Sequence, residues 1–175
     1  VLVAGVAAQT LPSIGGTLPP LFPADNWWNQ DISQAPVAAE AAALIAFINN
    51  GGSRRLHPDF GGYSGQGDGI YGIPYVVVAG AQPKRQVSFY YPDESDGVGT
   101  PFYPIPDQAI TQPSWIEGGP PGNQNPGGDR HMLIVDKDNQ KLYELYDLRW
   151  DGAKWTAGSG AYFDLLTNAR RPDGW

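Results

Sequence analysis

The sequence predicts a mostly β domain: a sandwich or jelly-roll-like pair of antiparallel sheets with one short N-terminal helix and long Gly/Pro-rich loops. The chain has 23 Gly and 17 Pro among 175 residues, which favours many turns. Several short segments are rich in β-branched and aromatic residues, whereas one segment has helical spacing. Because 41% of the residues are hydrophobic and 12% are aromatic, we expect a folded domain and not a disordered chain.

The N-terminal segment indicates export. Residues 1–8 (VLVAGVAA) form an apolar run that ends in small residues, as the tail of a secretory signal does. This run is far shorter than the roughly 20 residues that span a bilayer. The prolines of residues 9–25 are too dense for a helix. We therefore expect a signal remnant or extended arm at 1–21, a single β-rich domain at 22–175, and an extracellular location.

The one segment with helical spacing begins at Pro36. Pro suits the first turn of a helix, and Gly51 or Gly52 suits the residue that follows the last turn. The apolar positions that recur with helical period are Val37, Ala41, Leu44, Ile45 and Ile48. Residues 53–72 then form a polar, Gly-rich loop with no period.

Strands are predicted after this loop. The segments with strand composition are residues 73–79, 86–91, 130–136, 141–147 and 161–165. A second long irregular stretch, residues 92–128, separates the second of these segments from the third.

Residues 130–147 predict a β-hairpin. Asp138-Asn139 is a pair that tolerates the positive φ values of a two-residue turn. With that turn, Leu133 lies opposite Glu144 and His131 lies opposite Tyr146, all on one face. The other face is apolar and carries Met132, Ile134, Tyr143 and Leu145.

His131 is the main catalytic candidate. A diagonal pair in a ladder is about 7 Å apart at Cβ, so His131 and Glu144 can meet directly or through one water. Glu144 or Asp129 would tune the imidazole for general acid or base chemistry. The alternative is that His131 and Tyr146 form an ordinary structural pair on a half-buried face.

The second histidine, His57, lies in the Gly-rich loop with Asp59. We expect His131 and Glu144 to lie at the floor of a cleft, with His57 and Asp59 reaching it from the loop above. The order His57, Asp59, His131 also matches a two-His, one-carboxylate metal site, although Pro58 disfavours a regular strand there. The alternative for His57 is a loop imidazole that hydrogen-bonds to backbone. We expect no cofactor.

Aromatic residues are candidates for substrate binding. A sugar ring is commonly held on an aromatic side chain while two carboxyl groups flank the bond to be cleaved. Trp27, Trp28 and Tyr146 are the candidate platforms. We expect one ring of the adjacent Trp27-Trp28 pair to enter the core and the other to face outward.

Composition excludes several classes of function. The chain has no Cys and two His, which removes thiol nucleophiles, disulfides, thiolate metal sites and three-His sites. Its net charge of −7 opposes binding to a phosphate backbone, so we expect no nucleic-acid partner. No apolar run is long enough for a membrane span, so we expect no membrane partner either.

Local motifs add a resemblance. They are LHPDFGG at 56–62, GDRHMLIVDKDNQKLYELYD at 128–147 and NARRPDGW at 168–175. These segments resemble an uncharacterised family of secreted bacterial proteins, which implies export and a β-rich fold. Relatives continue past the RPxGW stretch and commonly carry Cys near position 139. The resemblance therefore implies that this chain is an N-terminal part, with a second polypeptide completing the fold and an apolar face exposed without it.

Two classes of function remain open. The first is a secreted hydrolase that acts on a polysaccharide, with His131, Glu144, His57, Asp59 and Asp129 as the acid–base candidates. The second is a non-catalytic protein, either a carbohydrate-binding module or an extracellular structural or assembly protein. In either case we expect the partner to be a glycan or a cell-surface polymer.

Overall fold

A computed structural model describes residues 17–54 and 72–175, together with the backbone of two short paired strands at 62–63 and 70–71. In chain order the helices and strands are α1 (Ala41–Asn49), β1 (Gly62–Tyr63), β2 (Ile70–Tyr71), β3 (Tyr75–Val78), β4 (Val87–Phe89), α2 (Gln108–Thr111), β5 (Met132–Asp136), β6 (Lys141–Tyr146), β7 (Arg149–Trp150), β8 (Trp155–Ala157) and β9 (Ser159–Asp164). The predicted β-rich class is confirmed.

Most strands belong to two mixed sheets. The larger sheet has the strand order β3-β5-β6-β9, and the smaller has the order β4-β8-β7. β3 pairs with β5 in parallel, and β4 pairs with β8 in parallel, so the sheets are not purely antiparallel as expected. A parallel pair needs a crossover connection, and the long chain between β3 and β5 supplies one.

The β5–β6 hairpin has the predicted register. Leu133 pairs with Glu144, and Val135 pairs with Leu142. The turn differs from the prediction, since four residues separate the last pair and the residue with positive φ is Gln140. The reason is the buried carboxylate of Asp136, which accepts hydrogen bonds from the backbone and side-chain amides of Asn139 at 3.0 and 2.8 Å.

The main core lies between the two sheets. It takes alternate residues from β3, β5 and β6, together with Val87, Trp155 and Ala157 of the smaller sheet. Met132, Ile134, Tyr143 and Leu145 are all buried in it, as the hairpin prediction required.

The other side of the larger sheet, here called the outer face, is covered at one end. Val77, Val135 and Leu142 lie on it as a small buried cluster with Leu165. Leu18 and Phe22 of the N-terminal segment pack onto this cluster. The N-terminal segment, which was expected to be an extended arm, therefore covers the part of the outer face that lies near the end of β5.

The helix is shorter and more exposed than predicted. It begins at Ala41 and not near Pro36, and Asn50 ends it in the left-handed conformation at φ 46°. The apolar residues Leu44, Ile45 and Ile48 are exposed by 57, 60 and 47%, so the predicted core-facing stripe has no packing partner among the described residues. No helix in the described part of the chain is long and apolar enough to cross a membrane.

Candidate functional site

The uncovered end of the outer face carries polar and aromatic side chains. Glu144 and Tyr146 alternate with the core residues of β6 and therefore point to this face. His131 lies just before β5, with its ring centroid 5.4 Å from that of Tyr146. Tyr146 is 40% exposed, so the imidazole and the phenol ring border solvent.

Glu117 is the carboxylate that orients His131. Its Oε2 lies 2.5 Å from the imidazole Nδ1 and accepts a second hydrogen bond from the backbone amide of His131 at 3.1 Å. The amide of Glu117 donates in turn to the carbonyl of His131 at 2.9 Å. Because a carboxylate only accepts, the neutral imidazole carries its proton on Nδ1 and leaves the Nε2 lone pair free to take up a proton.

The loop that presents Glu117 is fastened by a buried arginine. The guanidinium of Arg130 donates to the carbonyls of Glu117, Pro120 and Pro121 at 2.7, 2.8 and 3.1 Å. Arg130 is fully buried, and this burial lowers its pKa from the usual value. Such anchoring restricts the position of Glu117 and, through it, the orientation of His131.

Glu144 is half-buried beside His131. Burial raises the pKa of its carboxyl above the ordinary value of 4.5, while the charges of Arg171 and His131 act in the opposite direction. A carboxyl group in this condition stays protonated further into the weakly acidic range than an exposed glutamate. It can then donate a proton at a pH where other carboxyl groups are ionised.

The Glu144 environment predicts a pH-dependent stability. Because the pKa is higher in the folded than in the unfolded state, the stability contributed by protonated Glu144 is present at low pH and is lost as the pH rises through the folded-state pKa. Glu144→Gln does not titrate, so its free energy of unfolding should rise relative to wild type between about pH 4 and pH 8. Urea denaturation at both pH values measures this, with Glu40→Gln on the exposed start of α1 as the control. If the difference in free energy of unfolding between Glu144→Gln and wild type is the same at both pH values, the pKa of Glu144 is not raised by folding.

The other predicted acid–base residues have different outcomes. Asp129 is exposed, and its backbone carbonyl accepts from the amide of Asp147 at 2.7 Å. The imidazole therefore has Glu117 as its hydrogen-bonded partner, where Glu144 or Asp129 was expected. His57 and Asp59 lie outside the described residues, so their meeting with His131 stays a prediction.

The tryptophan pair does not divide between core and surface as expected. Trp27 and Trp28 are 67 and 68% exposed, and their rings stack on each other at 4.4 Å. The buried residue beside them is Asn26, whose amide donates to the side-chain oxygen of Asn168 at 2.8 Å. Asn26, held by this hydrogen bond, occupies the buried position, and both indole rings lie on the surface. Neither ring belongs to the hairpin that carries His131.

Metal binding has no support in the described part of the chain. No group of three or more His, Cys, Asp or Glu is placed there to hold a metal ion. The predicted metal site of His57, Asp59 and His131 stays a prediction, because His57 and Asp59 lie outside the described residues.

Two site residues were not predicted from sequence. Glu117 lies in the irregular stretch 92–128, and Arg171 follows the last strand. Neither has a spacing that points to His131 or Glu144, because both reach the sheet through loops whose paths are set by tertiary contacts. Arg130 gave no such signal in the sequence, because its burial and its acceptors in the Glu117 loop are visible only in the structure.

Comparison with known proteins gives no relative for this chain. No family model matches it, and no match was found among curated proteins or solved structures.

Proposed function

We propose that this chain is a secreted protein that hydrolyses a polysaccharide, with Glu144 as general acid and His131 as general base. The observation that carries the proposal is an imidazole oriented by a carboxylate, next to a second carboxyl whose pKa is raised. A site in which one group holds a proton to donate and its neighbour has a lone pair to accept one is typical of acid–base catalysis. Export is proposed from residues 1–8 and from the resemblance to secreted bacterial proteins.

The proposed reaction adds one water across a glycosidic bond. His131 Nε2 accepts a proton from water as the water oxygen bonds to the anomeric carbon. Glu144 donates its proton to the glycosidic oxygen as the bond between that oxygen and the anomeric carbon breaks. Proton transfer through solvent from His131 to Glu144 then restores both groups. Glu117 positions the imidazole, and the exposed ring of Tyr146 offers a platform for a sugar.

Release of reducing ends tests this function. We expect the chain to hydrolyse at least one member of a panel of β-1,4-glucan, β-1,3-glucan, xylan, chitin and polygalacturonate. The rate should fall between about pH 6 and about pH 8, because Glu144 loses the proton that it must donate as the pH rises. Absence of hydrolysis of every polymer at both pH values would overturn the proposal. A rate that keeps rising to pH 8 would remove Glu144 from the role of acid.

A further inference from the structure

A groove of about 540 Å³ lies on the outer side of the smaller sheet. This volume falls within the roughly 300–1,000 Å³ of small-molecule sites. Its lining is formed by Ser88, Phe89, Tyr90, Asn123, Gln124, Asn125, Arg149, Trp150, Asp151, Lys154 and Thr156. None of the four residues of the candidate hydrolytic site (Glu117, His131, Glu144 and Tyr146) belongs to it.

The floor of the groove is a polar row across three strands. Ser88 of β4 pairs with Thr156 of β8, which pairs with Arg149 of β7, so the three side chains lie side by side on one face. The opposite face of the same strands carries buried Trp155 and Ala157. Two hydroxyl groups thus stand on a rigid surface whose other side is core.

The wall of the groove is a run of three amides that the fold holds in place. The backbone amides of Asn123 and Gln124 donate to the carbonyls of Ile110 and Pro121 at 3.0 and 3.1 Å. Asn125 accepts a hydrogen bond from the guanidinium of Arg149, which ties the wall to the floor. The side chains of Asn123 and Gln124 make no hydrogen bond within the described residues, and each offers both donors and an acceptor to a ligand.

Aromatic rings complete the lining. Tyr90 is 71% exposed, which leaves its ring available for contact. Trp150 pairs with Trp155 and packs with it toward the core, so Tyr90 is the ring that stands on the groove side of the sheet. An exposed aromatic ring next to amides and hydroxyl groups suits a ligand that has apolar C–H faces and a rim of hydroxyl groups.

The charges of the groove nearly cancel. Arg149 forms a salt bridge with Asp147 at 2.7 Å. Lys154 and Asp151 lie near each other and carry opposite charges. Backbone hydrogen bonds from Lys154 and Ala153 lower the pKa of Asp151, so this carboxylate stays ionised and offers no proton. The groove is therefore suited to hold an uncharged ligand and lacks the protonated acid that glycosidic cleavage requires.

We propose that this groove binds a neutral glycan chain. The inference goes beyond the proposed hydrolytic function and stands without it, because the groove and the acid–base residues share no side chain. If both hold, the groove keeps the protein on a polymer whose bonds are cleaved elsewhere on the domain.

Tyr90→Ala and Tyr91→Ala form a matched pair for the test. Both side chains are exposed tyrosines in consecutive positions, but Tyr90 lines the groove and Tyr91 does not. Isothermal titration of the full chain with cellohexaose, laminarihexaose, xylohexaose and hexa-N-acetylchitohexaose is expected to detect binding to at least one, with a Kd of about 1 mM or below. Tyr90→Ala should weaken that binding about tenfold, and Tyr91→Ala should leave it unchanged. His131→Gln should also leave it unchanged.

Salt dependence checks the charge of the ligand. Since the proposed ligand is uncharged, raising NaCl from about 50 to 500 mM should change the Kd by less than about twofold. The proposal is overturned if none of the four oligosaccharides binds at about 10 mM, or if the Tyr90 and Tyr91 variants bind alike. Loss of binding in His131→Gln would instead place the glycan on the candidate hydrolytic site. In that case the groove inference fails, whereas the proposed hydrolytic function does not.

Discussion

His131→Gln is expected to lower the rate of polysaccharide hydrolysis by about 10²- to 10⁴-fold, the range that a positioned general base contributes. Glutamine can still donate its amide to Glu117, so the local hydrogen bond and the fold are retained. It has no nitrogen that accepts a proton from water at neutral pH. The loss should therefore appear in kcat, measured as the initial rate of reducing-end release at saturating polymer, with little change in KM.

Two further variants separate catalysis from folding. Glu117→Gln should lower kcat by less than His131→Gln does, because Glu117 acts only by positioning the imidazole. Lys137→Gln, on the exposed loop of the same hairpin, is the control and should keep full activity. If His131→Gln unfolds at the same urea concentration as wild type and keeps its rate, the imidazole has no catalytic part.

The hairpin could be predicted from sequence because its signal is local. Alternation along residues 130–147 fixes which side chains face the core, and a strand shifted by one residue would bury Glu144 and expose Tyr143. Register is therefore specified by burial and not by the turn. This is why the register was right although the two-residue turn at Asp138-Asn139 was wrong.

The sheet topology could not be predicted in the same way. Val76, Val77 and Val78 of β3 form a continuous apolar run, and the structure buries all three, with Val77 on the outer face. Runs buried on both faces are typical of interior and parallel strands, but the partner of such a run is not encoded nearby. Pairing of β3 with β5 depends on a crossover whose path is set by distant contacts.

The candidate site was predicted in part. His131, Glu144 and Tyr146 were placed on one face because they belong to one hairpin, and in the structure the His131 and Tyr146 rings lie 5.4 Å apart while Glu144 keeps its predicted register. Glu117 could not be foreseen, since a loop carries it to His131 and the buried Arg130 holds that loop by backbone carbonyls. The predicted division of Trp27 and Trp28 was wrong because a polar side chain, Asn26, occupies the interior position beside them.

The role of Glu144 as general acid is tested most directly by changing the leaving group. Protonation of the glycosidic oxygen is needed when the leaving group is a sugar hydroxyl, but not when it is a dinitrophenolate, which departs as a stable anion. Glu144→Gln and wild type are compared on the polymer that the wild-type protein hydrolyses and on the 2,4-dinitrophenyl glycoside of the sugar it releases. We expect Glu144→Gln to lose about 100-fold or more on the polymer and less than about tenfold on the dinitrophenyl glycoside. Equal losses on both substrates, or no loss on the polymer, would contradict an acid–base site at Glu144 and His131.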